Sequence, residues 1–301
     1  MLKLERLKPE TFILTLALIF TNASLAASEA GKVDFTAIHE QAGYANAAYQ
    51  SEDRIRAFVE AQGYTLTLYK TDPAIQVSYF LATNASTGTQ VISVRGTANT
   101  ENAMVNIAVK LRPDPVTGIN FHEGFSSAAK RVYAELKTLL EPDYKLRITG
   151  HSLGGAVALI LAMYIDIDQF NIDQVTTFGQ PKVTNIAGAL RLNHINIFRV
   201  VMPLDLVPLV PPLDPLDINN LDIYWHAGKE VVLLTGNQYA ILEDLDSMLR
   251  ATRFTQRLLD QENMEHHRMS VYLSMVAART KSSTLVPYKT DLNLFNLFGN
   301  N

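Results

Sequence analysis

The pentapeptide Gly150-His151-Ser152-Leu153-Gly154 sets a serine hydroxyl between glycines two positions before and two positions after it. Ahead of it, Lys145 to Thr149 alternates Leu146 and Ile148 in the manner of a short strand, and behind it Val157 to Ala162 is a strong helix-forming run. Ser152 is therefore expected on a tight strand-to-helix turn, the nucleophile elbow G-x-S-x-G. Flanking glycines suit such a turn because strand and helix approach closely only where no Cβ intervenes. At the helix head the N–H of Leu153 has no carbonyl one turn before it and points where an oxyanion would form. The chemistry on offer is attack on an acyl carbon, which needs a base for the serine proton and a carboxylate to orient that base. Gly-rich strand–helix junctions also serve packing and phosphate binding, so the assignment depends on whether such partners exist.

Candidates for the acid follow the elbow. Asp205 stands four residues past the strand-like Phe198-Arg-Val-Val201, in a loop stiffened by Pro203, Pro208, Pro211 and Pro212. Asp214, Asp217 and Asp222 lie further on and read as solvated loop or strand residues. For the base there are His226, His266 and His267. His226 sits inside the aromatic strand-like run Ile223-Tyr-Trp-His-Ala-Gly, where a packed, hydrogen-bonded histidine is expected. His266 and His267 begin a helix continuing Met269-Ser-Val-Tyr-Leu-Ser-Met-Val. Adjacent residues point in different directions, so at most one of these two meets Ser152, and spacing does not choose between them. Upstream, the run Gln90 to Val94 ends in Arg95-Gly96-Thr97, which can turn the backbone N–H or hydroxyl of Thr97 toward the carboxyl edge of a sheet.

The elements that must position these groups alternate. Two helices are expected between Asp34 and Glu60, the second opened by Ser51, then a strand at Tyr64 to Tyr69. A hairpin follows, Ile75 to Ala82 and Gln90 to Val94, joined by Thr83-Asn-Ala-Ser-Thr-Gly88, in which Asn84-Ala85-Ser86 reads as turn chemistry although it matches a glycosylation sequon. Asn99 to Val109 has the pattern of a short amphipathic helix, which fits a lid hinged beside the site and fits a plain surface helix as well. Phe121 leads into a helix ending near Leu140, Ile172 to Phe178 and Ile195 to Val201 are strands, and Thr184 is positioned to N-cap the helix between them. Strands alternating with helices from Thr89 onward point to an α/β fold: a central, largely parallel sheet with helices on both faces and ligands at the strands' carboxyl ends.

Composition bounds the rest. With 301 residues, 48% hydrophobic and 19% charged, the chain can bury a full core. The absence of cysteine excludes disulfides, thiolate chemistry and Cys-ligated metal. A basic segment ending at Lys8, an apolar run from Phe12 to Phe20, and small residues at Ser24 and Ala26 read as an export signal cleaved after Ala26. Its removal leaves 23 basic against 28 acidic groups and takes the net charge from -4 to -5, which argues against nucleic acid and against electrostatic attraction to anionic membranes. Residues 1–26 are thus expected to be the signal and 27–301 one domain with no transmembrane helix, exported to the outside or to a bacterial periplasm.

The order Ser, Asp, His is that of α/β-hydrolases. The chain further resembles the class 3, fungal-type lipases in Val94-Arg-Gly-Thr97, Phe121-His-Glu-Gly-Phe125, Ile148-Thr-Gly-His-Ser-Leu-Gly-Gly-Ala156, Thr177-Phe-Gly-Gln-Pro-Lys-Val183, Phe198-Arg-Val-Val201 with Asp205-Leu-Val-Pro208, Tyr224-Trp-His-Ala-Gly228 and His267-Arg-Met-Ser-Val-Tyr-Leu273. The resemblance implies an α/β-hydrolase fold, Ser152 as nucleophile, Asp205 as acid, His267 as base in preference to His266, and the N–H groups of Thr97 and Leu153 as oxyanion hole. It departs from the family at Asn102-Ala103, where lids usually carry Asp-Trp, and at Met202, where an Asn commonly precedes the acid. The expected function is an exported serine hydrolase that cleaves carboxylic esters of lipids through an acyl-enzyme, acting on a lipid or small ester at a membrane or droplet surface, with no cofactor and no metal. The rivals are a phospholipase A1 or acyltransferase on the same scaffold and a non-catalytic lipid-binding module.

Overall fold

The strand-like runs after Tyr64 build the sheet on which the site is mounted. The computed structural model describes residues 33–97, 111–211, 223–251 and 261–288. The expected signal at 1–26, the lid-like helix at 99–109, and Asp214, Asp217 and Asp222 lie outside the described residues. The unit Phe35–Asn301 opens with α1 (Phe35–Ala47) and α2 (Glu52–Ala61), followed by β1 (Thr65–Asp72), β2 (Val77–Asn84) and β3 (Thr89–Arg95). In the turn between β2 and β3, Asn84 Oδ1 accepts from the N–H groups of Ser86 and Thr87 and from the Ser86 hydroxyl, the self-capping that suits Asn to turns.

Two short strands, β4 (Leu111–Pro113) and β5 (Asn120–His122), precede α3 (Glu123–Leu136). Then come β6 (Lys145–His151), α4 (Leu153–Ile167), β7 (Ile172–Phe178), β8 (Thr184–Asn185), α5 (Ile186–Arg191) and β9 (Ile197–Val201). The remainder is β10 (Tyr224–Trp225), β11 (Lys229–Leu233), β12 (Gln238–Leu242), α6 (Asp244–Ala251), α7 (Gln261–His266), α8 (Met269–Lys281) and β13 (Thr284–Leu285).

Among the described residues, nine strands form one sheet in the order β1-β2-β3-β6-β7-β9-β11-β12-β13. Its centre, from β3 to β11, is parallel, as is the β12–β13 pair, while β1–β2, β2–β3 and β11–β12 are antiparallel. A second, four-stranded sheet runs β10-β8-β5-β4. Helices cover both faces of the main sheet. The Thr149 hydroxyl on β6, which donates to the Thr176 carbonyl at 2.8 Å, lies 3.4 Å from the Gln41 carbonyl of α1, whereas a Cβ on the next residue, Gly150, would meet the Gly154 carbonyl of α4 at 2.5 Å. Consecutive strand residues face opposite ways, so α1 and α4 lie on opposite sides. α8 packs on α1 and α3 on α4.

Two local expectations are corrected. Thr184 does not cap α5: it is claimed by β8, where its hydroxyl donates to the Asn120 carbonyl at 2.7 Å, and the cap is Asn185, whose Oδ1 takes the Gly188 N–H at 3.0 Å. The aromatic run around His226 is not one strand. It breaks at Gly228, φ +76°, into β10 of the small sheet and β11 of the large one, leaving His226 between them.

Candidate active site

β6 delivers Ser152 to the carboxyl edge of the parallel strands, and α4 begins one residue later. Ser152 has φ +58° and ψ −132°, outside the regions that side-chain-bearing residues favour, and its N–H is held by the Phe178 carbonyl at 2.8 Å. Strain of this kind costs of order 1–3 kcal/mol. It is outweighed by α4, where every residue from Gly154 to Ile165 is buried, since each fully buried Leu or Ile contributes roughly 1.5–3 kcal/mol. The elbow glycines have steric reasons: a Cβ on Gly154 would lie 2.3 Å from the Val94 carbonyl oxygen on β3, and Gly150 is pressed against Gly154 itself.

Asp205 follows β9 and is fully buried. Its Oδ1 accepts the Val207 N–H at 2.9 Å. Oδ2 lies 2.9 Å from His267 Nδ1 and accepts the Tyr272 hydroxyl at 2.6 Å. Buried side chains hold the loop that carries it. The Lys182 ammonium donates to the carbonyls of Leu209 and Pro211, and His226 Nε2 donates to that of Pro208 at 2.7 Å. His226 is thus a support of the Asp205 loop, its pKa pushed well down by burial and then by the Arg199 charge. Lys182 is brought down to about 7 by burial, with Arg250 and Arg199 adding to it, and a neutral amine still has N–H donors for both carbonyls. The neighbouring charges form a buried group in which Glu230 receives Arg250, the Ser247 hydroxyl, and Arg199 at 3.2 Å.

His267 occupies the turn between α7 and α8, its N–H tied to the Asn263 carbonyl at 3.0 Å. Its Nε2 is 2.8 Å from Ser152 Oγ. A carboxylate only accepts, so Nδ1 carries the proton toward Asp205 and Nε2 is left to accept from the serine hydroxyl. The bonds to Ser152 and Asp205 both come from His267; His266 closes α7. Leu153 is the first residue of α4. Thr97 lies two residues beyond β3, next to Gly96, where a Cβ would come within 2.9 Å of Ser152 Cβ. The backbone leading into Thr97 therefore passes against the serine. The structure also brings in residues that sequence reasoning passed over: Tyr272 on Asp205, Lys182 under its loop, and Gly179, whose absent Cβ makes room for Asp205 and His267. A glycine directly after β7, the strand beside the elbow, was the available signal for the last of these.

Residues 91–214 match the family described as Lipase (class 3), a span that includes Thr97, Ser152, Leu153 and Asp205 and stops short of His267. The chain is similar to the secreted mono- and diacylglycerol lipase 1 of Fusarium solani, 34% identical over 146 residues, covering 46% of this chain and 44% of that protein. It is similar to a lipase of Rhizomucor miehei at 33% over 145 residues, 44% of this chain and 40% of the other. The chain thus spans less than half the length of these curated relatives. Among solved structures, the mono- and diacylglycerol lipase of Aspergillus oryzae superposes with a TM-score of 0.66 at 24% identity, over 79% of this chain and 96% of that one. A lipase from Rhizopus microsporus var. chinensis does so with 0.58 at 26%, over 68% and 76%. These likenesses place the fold among the α/β-hydrolases.

Proposed function

We propose that the protein, with an α/β-hydrolase fold and residues 91–214 matching the class 3 lipase family, is a serine hydrolase cleaving the carboxylic esters of acylglycerols. The observation that carries this is His267 seated between Ser152 Oγ at 2.8 Å and Asp205 Oδ2 at 2.9 Å, with the serine on a strained elbow at a helix N-terminus.

In this reading Ser152 Oγ bonds to the ester carbonyl carbon as its proton passes to His267 Nε2. The carbonyl oxygen becomes an oxyanion that accepts from the N–H groups of Leu153 and Thr97. Asp205 keeps the proton on Nδ1 and stabilises the imidazolium. Collapse breaks the bond to the alkoxy group, which leaves with the proton from Nε2, and an acyl-enzyme remains. Water, deprotonated by the same Nε2, then releases the fatty acid and restores the serine.

The acylglycerol class is supported by the names of the Fusarium and Aspergillus relatives, both mono- and diacylglycerol lipases. Export is the reading of the N-terminal 26 residues, and the Fusarium relative is named as secreted. The relatives reported are fungal and lend no support to the periplasmic destination. No helix among the described residues is long and apolar enough to cross a membrane.

The test uses the purified chain from residue 27 onward on p-nitrophenyl esters of graded acyl length and on mono-, di- and triacylglycerol, with and without Ser152→Ala. Hydrolysis abolished in a folded Ser152→Ala protein is the expected result. Activity near that of the wild type in that variant refutes the assignment, and cleavage confined to phospholipid, or acyl transfer in preference to hydrolysis, shifts it to the rival chemistry on this scaffold.

A further inference from the structure

His151 occupies a variable position of the elbow, is 4% exposed, and has no step in the reaction above. Its Nε2 lies 2.6 Å from the main-chain carbonyl oxygen of His267, and its Nδ1 lies 2.7 Å from the hydroxyl of Tyr49. The same Tyr49 oxygen takes the backbone N–H of Gly96. The chemistry of the partners settles the direction of every bond. A carbonyl cannot donate, so Nε2 carries the hydrogen. Nδ1 of a neutral ring is then an acceptor, so the Tyr49 hydroxyl donates to it and keeps a lone pair for Gly96. Burial, reinforced by the nearby His267, pushes the His151 pKa well below its ordinary value, which keeps the ring neutral, and its two partners then fix the tautomer.

The result is one file of hydrogen bonds running Gly96 N–H, Tyr49 O–H, His151, His267 C=O, all pointing the same way, an arrangement in which each bond polarises the next. It starts beside Thr97, passes through the residue before Ser152, and ends on the backbone of the residue that carries the base. The rings of His151 and His267 are 4.6 Å apart at a 34° tilt, close enough for a displaced His151 to be felt by the base directly.

We propose that Tyr49 and His151 are positioning residues that hold the oxyanion-donor strand end and the catalytic histidine in register with Ser152. The inference rests on the ester-hydrolase reading of the site. Neither side chain takes part in the bond-making steps above, so their loss is expected to change turnover at each competent site more than substrate binding.

The experiment compares Tyr49→Phe, His151→Leu and His151→Gln with the wild type and Ser152→Ala, on p-nitrophenyl butyrate. Rates are expressed per competent serine, counted from the stoichiometric burst with diethyl p-nitrophenyl phosphate. Misplacement of donor or base by a fraction of an ångström predicts a loss in kcat per titrated site of about 10-fold for Tyr49→Phe and about 100-fold for His151→Leu, with KM within about twofold. His151→Gln, which can present an N–H near the former Nε2 position, recovers part of the His151→Leu loss. A purely structural role gives fewer titrated sites, each with wild-type kcat, and overturns the inference. Should His151→Leu fail to fold, Tyr49→Phe, which removes a single oxygen, decides alone. A wild type that neither hydrolyses the ester nor is labelled at Ser152 refutes the underlying reading and this inference with it; an active, labelled wild type beside fully active variants refutes the inference only.

Discussion

Replacing Gly179 by alanine tests the geometry of the site without touching any group that reacts. Gly179 sits just past β7 at φ +56°, and a Cβ built there would lie 2.8 Å from Asp205 Oδ2, 2.9 Å from His267 Cε1 and 3.0 Å from His267 Nδ1. Ordinary contact begins near 3.4 Å, so the carboxylate must give way by about 0.6 Å and the imidazole by about half an ångström. If a misplacement of 1 Å costs on the order of 100-fold in rate, half of that costs about 10-fold in kcat. Separately, a left-handed backbone conformation costs an alanine roughly 1–2 kcal/mol, a few degrees in Tm for a chain of this size. Gly236 supplies the control: it has φ +66° and nothing within 4 Å of a built Cβ, so Gly236→Ala carries the backbone cost without the clash. Thermal unfolding and ester hydrolysis per titrated site are measured on both variants. Both are expected to lose a similar few degrees, while only Gly179→Ala loses kcat. A Gly179→Ala protein within twofold of wild-type kcat would refute the claim that Asp205 and His267 need the space above this residue.

Other predictions concern single side chains. His267→Ala should match Ser152→Ala in activity while His266→Ala keeps most of it, and the reverse ranking in the same hydrolysis assay would move the base by one residue. Tyr272→Phe removes a hydrogen bond that Asp205 accepts beside those from His267 and Val207, and is expected to lower kcat several-fold with the fold intact by circular dichroism; an unchanged kcat would show the tyrosine to be dispensable. Burial raises the Asp114 pKa, but the Lys130 ammonium, the Thr117 N–H and the Tyr164 hydroxyl outweigh it and bring it down to about 2. A folded pKa below the unfolded value near 3.8 stabilises above that value by about 2 kcal/mol, and this is lost as pH falls toward 2. The urea-midpoint gap between wild type and Asp114→Asn should therefore narrow toward acid. Lys182, lowered from 10.5 to about 7, works in the alkaline direction. Its contribution is complete above 10.5 and lost as pH falls through about 7, so wild type should gain stability relative to Lys182→Met between pH 7 and 9.5, and a constant difference would contradict it.

What could be read from the sequence was whatever neighbours in the chain determine. The elbow is of this kind: Gly150, Ser152 and Gly154 lie within one turn, and their spacing carries the strand-to-helix geometry before any long-range contact forms. The alternation of strands and helices and the hairpin closed by Asn84 are legible for the same reason. Cap and strand ends are less so, because a strand pairing can take the very residue a cap would use, as β8 takes Thr184.

The rest depended on how distant segments dock. Spacing left His266 and His267 equivalent, and resemblance alone preferred one; the seating of α7 and α8 turns His267 toward a serine 115 residues away. Tyr49 reaches His151 across 102 residues, and Tyr272 reaches Asp205 across 67. A buried lysine under the acid loop was not legible either, since in sequence Lys182 is one charge among many. Its role exists only where the carbonyls of Leu209 and Pro211 converge on it and no water competes for them. Local periodicity records which face of an element is apolar, whereas a hydrogen bond between buried groups on separate elements is decided by packing.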